Sequence, residues 1–91
     1  MSQQAKDKIN NLRKKIDVMD AGLVDLLNKR AELAYDVKKL KLANNMPILD
    51  SERETRIHEM IRRKSKGLLK EEDLERIYKL LLEVMRGIDE A

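Results

Sequence analysis

Ten residues in the first half of the chain, Ile9, Leu12, Ile16, Met19, Leu23, Leu26, Arg30, Leu33, Val37 and Leu40, follow one another at alternating spacings of three and four. That period puts them on one stripe of a helix, the kind of seam that a helix uses to pack along another long helix. Taken as one helix, residues 9–43 span ~52 Å at about 1.5 Å per residue. A compact globule of this chain length is only about 30 Å across. The helix therefore projects beyond any core its own chain can build. A symmetric dimer removes the difficulty, with two copies of the helix side by side and antiparallel, and each chain's shorter helices covering the other's exposed seam. The small residues Ala21 and Gly22 near the middle suit either a close crossing there or a plain surface position.

The only proline, Pro47, lies in "NNMPILDSERE" and cannot continue the first helix, which is expected to end around Asn44-Asn45. A second helix is expected at "DSERE", where Asp50 or Ser51 caps the free amides. Glu54, three residues after Ser51, completes a capping box. Ile57, Met60 and Ile61 mark its buried face. After "KSKGLL" a third helix is expected from about Glu71 to the end, with Leu74, Ile77, Tyr78, Leu81, Val84, Met85 and Ile88 inward. Nothing alternates like a strand, and there are no repeats or low-complexity tracts. The expectation is an all-α chain with three helices, one long and two shorter, forming a single domain over residues 1–91 and an intertwined antiparallel homodimer.

The absence of cysteine fits a reducing compartment. No apolar run approaches the roughly 18 residues of a membrane span, and the start "MSQQAKDKINNLRKK" lacks the apolar stretch of a secretory leader. A cytoplasmic protein without a membrane partner is expected. The net charge of +3, from 20 basic and 17 acidic residues, is a mild excess of interspersed charge that points to small anionic ligands. A nucleic-acid binder would cluster its cations on one outer face. Here "LRKK", "VKKLK" and "IRRKSK" alternate with acids on different helices, so no nucleic-acid partner is expected.

Arg30 is the one charge in the seam. A buried guanidinium is costly unless an anion meets it, and a glutamate of a neighbouring chain, such as Glu32, or a bound ligand would serve. Lys41 is eleven residues further on, on the same face and ~16 Å away along the axis. Arg13 is ~42 Å from Lys41 on the same helix. In an antiparallel pair crossing near residue 26, however, residue 13 of one chain lies level with residue 39 of the other, so three cations converge. Arg53, one turn before Ile57, is expected to point inward, and Asp50 and Glu54 add acceptors beside a helix N-terminus. Such a pocket suits a small ligand with more than one carboxylate and a hydroxyl. The sequence offers it no good nucleophile, metal set or glycine-rich phosphate loop, and His58 is expected at the surface. Chemistry here would proceed through positioning and electrostatics, with no cofactor.

These residues resemble the all-helical chorismate mutases of the shikimate pathway. The resemblance is carried by "LRKKID" with Arg13, "LLNKRAELA" with Arg30, "VKKLK" with Lys41, and "PILDSERE" with Pro47, Asp50, Arg53 and Glu54. It runs without a gap over residues 9–61 and more weakly through the third helix. It implies an intertwined helical dimer with two identical active sites, and an isomerase that converts chorismate to prephenate by a cofactor-free Claisen rearrangement, on the way to phenylalanine and tyrosine. It further implies that Arg13 of the partner chain and Arg30 hold the two substrate carboxylates in a chair-like conformer. Lys41 would bind the ether oxygen, where negative charge builds, and Glu54 and the backbone at Asp50 would bind the ring hydroxyl. Arg53 would orient the acids and add positive potential.

The third helix departs from the pattern. Many family members have a serine where this chain has Met85 and a glutamine where it has Asp89. Met85 would remove a hydrogen bond to a substrate carboxylate. Asp89 would donate to the ether oxygen only when protonated, and its ordinary pKa is ~3.9. Activity that declines as pH rises through the pKa of Asp89 is therefore expected, unless the last turn is frayed and Asp89 exposed. Isochorismate pyruvate lyases share a similar cationic pocket, and related domains occur fused to other shikimate-pathway enzymes, where some serve as sensors. Both stay open as alternatives. A structural coiled-coil adaptor would leave Arg30 explained only as a register device.

Overall fold

The computed structural model describes residues 2–88. Among them are three helices and no strand: α1 (Gln3–Ala43), α2 (Ser51–Lys64) and α3 (Glu71–Arg86). The all-α expectation holds. The chain divides into two compact units, Met1–Glu32 and Leu33–Ala91, and α1 contributes to both.

Among the described residues, the N-terminal unit consists of Ser2 and the first part of α1. The helix starts earlier than its apolar pattern does, because Ser2 supplies a cap: its Oγ accepts from the Ala5 N–H at 3.1 Å and its carbonyl from the Lys6 N–H at 3.1 Å. No residue of α1 is buried. The seam is open, with Leu12 58%, Met19 73% and Leu26 66% exposed.

The C-terminal unit holds the core, which is built from Ile57 and Ile61 of α2 and Met85 of α3. Met60, Leu74, Tyr78, Leu81 and Ile88, also expected inward, are half-buried. Ile77 and Val84 depart from expectation at 53% and 56% exposed. They lie seven residues apart, on a face of α3 that α2 does not cover. The third helix also stops short of the end, at Arg86, where the Gly87 N–H bonds the carbonyls of Glu83 and Val84 at 3.2 Å.

The connection from α1 to α2 is set by backbone chemistry. Asn45 takes a left-handed conformation (φ 54°). The Met46 N–H reaches the Lys41 carbonyl at 2.8 Å and the Asn45 N–H the Leu42 carbonyl at 3.4 Å. This is a Schellman ending, with asparagine in the place glycine usually takes. Helix α2 then begins at its cap, Asp50, whose Oδ1 accepts from the Arg53 N–H at 3.1 Å. The expected Ser51–Glu54 capping box is not formed. With Asp50 as the cap, the residue three positions on is Arg53, which has no carboxylate to reach back. At the start of α3, Lys70 makes no side-chain cap, but Glu71, Glu72 and Asp73 crowd the first turn, where acids complement the free amides. No helix among the described residues is long and apolar enough to cross a membrane.

Candidate active site

The expected site residues divide between the two units. Arg13 and Arg30 belong to the N-terminal unit, where Arg13 is exposed and Arg30 half-buried. Lys41, Asp50, Arg53, Glu54 and Met85 belong to the C-terminal unit. Asp89 lies outside the described residues.

Lys41 organises the segment that leads into α2. Its carbonyl accepts the Met46 N–H at 2.8 Å, and its Nζ donates to the Ile48 carbonyl at 3.2 Å. One residue therefore ties the turn at both its backbone and its side chain. An ammonium has three donors, so after the bond to Ile48 it keeps capacity for an oxygen of a ligand. The lysine sits half-buried, which strengthens whatever electrostatic contact it makes.

Asp50 is held in place by its cap role. The Arg53 N–H on its carboxylate, with the charges of Lys41 and Arg56 adding to it, holds its pKa below the usual aspartate value against the opposing effect of burial. Arg53 corrects the expectation of an inward side chain, because it is exposed. It stands in the first turn of α2, one turn before the buried Ile57, where only its backbone N–H is drawn into the cap.

Glu54 is half-buried and faces a residue that the sequence reading does not single out. Arg86 Nη1 lies 3.6 Å from Glu54 Oε1. Both line a cavity of about 340 Å³ whose apolar wall includes Ile57, Tyr78 and Leu82. Met85 is 8% exposed and belongs to the core. Lys38, in sequence only one lysine of "VKKLK", is a second such residue. Its Nζ donates to the carbonyls of Arg86 at 3.1 Å and Ile88 at 3.0 Å, so a cation binds the carbonyl end of α3, as the helix dipole favours. The available signal was a basic residue in a helix's last turn, which describes Arg86 but is too common to single it out. His58 is largely exposed, as expected, yet its Nδ1 pairs with Glu75 Oε2 at 2.5 Å, joining α2 to α3. Among the described residues, no three His, Cys, Asp or Glu side chains cluster as a metal site would require.

Known proteins share this arrangement of helices. Two solved structures of a chorismate mutase from Thermus thermophilus, forms I and II, superpose on the chain. Form I gives a TM-score of 0.80 at 22% identity, covering 86% of this chain and 98% of that one. Form II gives 0.84 at 21% identity, covering 89% and 92%. At such identities the likeness concerns the fold. Sequence relatives are nearer. A chorismate mutase from Methanocaldococcus jannaschii is 36% identical over 78 residues, 85% of this chain and 79% of that protein. A bifunctional chorismate mutase/prephenate dehydratase from Aquifex aeolicus is 34% identical over 87 residues, 91% of this chain; the chain spans only 24% of that longer protein. The sequence profile of the type II chorismate mutases matches residues 12–90. With that match over most of its length and a 36% identical relative covered over 79% of its own, the chain belongs to the chorismate mutase type II family.

Proposed function

We propose that this chain catalyses the rearrangement of chorismate to prephenate as an intertwined homodimer. Arg13 of one protomer and Arg30 of its partner grip the two carboxylates and hold the reacting ends together. Lys41 meets the ether oxygen. As the carbon–oxygen bond breaks and the new carbon–carbon bond forms, negative charge grows on that oxygen, and a cation already in place lowers the barrier. The carboxylate grips chiefly restrict conformation. Glu54 and the backbone at Asp50 take the ring hydroxyl, and Arg53 adds positive potential. Met85 lies where the family often has a serine. Asp89 donates to the ether oxygen when protonated.

The observation that carries the reading is the extent of the family match. Residues 12–90 include every side chain in this assignment. The dimer is supported by the open seam, where Leu23, Leu26, Leu33 and Leu40 are 55–67% exposed; monomeric soluble chains rarely leave so continuous an apolar stripe in water.

The test is ultraviolet loss of chorismate with purified protein at pH 5 and pH 8, without added cofactor or metal, and identification of the product. Prephenate is expected, formed faster at pH 5, and the Asp89→Asn variant should lose that pH preference. Chorismate left untouched at both pH values would overturn the activity. A product containing pyruvate would assign a lyase.

A further inference from the structure

We propose that Arg86 is a positioning residue for this reaction, its guanidinium holding the Glu54 carboxylate ready for the ring hydroxyl. The proposal rests on the functional reading above and adds a side chain that the family resemblance does not supply.

Glu54 stands on the first turn of α2 with a backbone N–H committed to the Asp50 carbonyl at 3.1 Å. Its side chain is long and flexible, and its rotamer freedom opposes any fixed placement. Among the described residues the group that faces it is Arg86, with Nη1 3.6 Å from Oε1. One nitrogen against one oxygen leaves Oε2 able to accept from a hydroxyl. Side-chain exposures of 41% for Arg86 and 45% for Glu54 keep the pair open to a ligand.

The guanidinium is also carried on a fixed base. Lys38 holds the Arg86 and Ile88 carbonyls, and the next residue toward the N-terminus, Met85, is packed in the core. The pair opens on the 340 Å³ cavity whose apolar wall includes Ile57 and Leu82, a volume within the range of small-molecule sites, about 300–1,000 Å³. Of the residues assigned to the substrate, Glu54 borders this cavity, beside Arg86 and the charged side chains of Glu75, Arg76 and Lys79.

The experiment is a double-mutant cycle on chorismate turnover, using the parent, Arg86→Gln, Glu54→Gln and the double variant, with Arg86→Lys as a charge-preserving control. Arg86→Gln should lower kcat/KM about fivefold, the scale of an exposed ion pair. Arg86→Lys should regain most of that loss, and it reports on the charge even if the glutamine variant is less stable. In the Glu54→Gln background the same Arg86→Gln change should cost nothing further, since its effect passes through Glu54. An equal loss in both backgrounds, or none in either, overturns the assignment while leaving the mutase reading intact. A parent protein that does not convert chorismate overturns both.

Discussion

The two units of this chain use the same helical period and reach opposite ends of the burial scale. In the C-terminal unit, Ile57 and Ile61 are 7% and 2% exposed, because α3 lies against α2 and supplies Met85. In the N-terminal unit, Ile16, Met19 and Leu23 are 52%, 73% and 55% exposed, because no second element of that unit covers them. Periodicity states that a face is apolar and leaves open what the face will meet. The longer stripe has the greater apolar surface to hide and, in this chain, the less to hide it with.

The sharpest way to break the comparison is to charge the open stripe. Leu26→Glu should convert a dimer to monomers. A buried leucine is worth about 1.5–3 kcal/mol, and symmetry counts it twice, so the dissociation constant should rise by about two to four decades. Sedimentation velocity reads the result directly. A variant of the same mass and turnover as the parent would mean that the stripe is not an interface.

A smaller effect is expected in the closed unit. Ile61→Ala removes the most deeply buried side chain of the core and should cost about 2–4 kcal/mol, seen in urea unfolding. If Ile61→Ala and Leu23→Ala cost the same, then the open stripe is as well packed in solution as the closed one, which is what a dimer requires.

The smallest effect concerns the segment between α1 and α2. The folded pKa of Asp50 is depressed, so its contribution to stability is fully present above the ordinary aspartate value of ~3.9 and is lost as pH falls through the lower folded value. Melting temperature measured from pH 5 down to pH 2 should fall less steeply for Asp50→Asn, which keeps a capping oxygen and loses the titration. Parallel curves for the two proteins would remove Asp50 from the acid response.

Much of the fold was legible because its determinants are local. The seam, Pro47, Asn44-Asn45 and the Asp50 cap each act within a few residues, and α2 starts where its cap dictates. Local rules also failed locally. Ser51–Glu54 fits a capping box as well as Asp50 fits a simple cap, and Asp50 takes the cap. The start of α1 was not legible, because the cap of Ser2 precedes the first apolar residue of the seam by about two turns.

The candidate site was less legible, for a reason of distance along the chain. Lys41 and Asp50 could be recognised from their motifs. Glu54 and Arg86 could not be paired, since their meeting depends on how α3 returns along α2, and the bond from Lys38 to the end of α3 depends on the same return. By itself the sequence determined the helices, their breaks and the placement of one arginine within an apolar seam, because hydrogen-bond period and cap chemistry are properties of neighbouring residues. Only the tertiary structure decided which apolar faces close, that Met85 is core, and that Arg86 meets Glu54, because burial and ion pairing are set by residues that the backbone brings together from far apart.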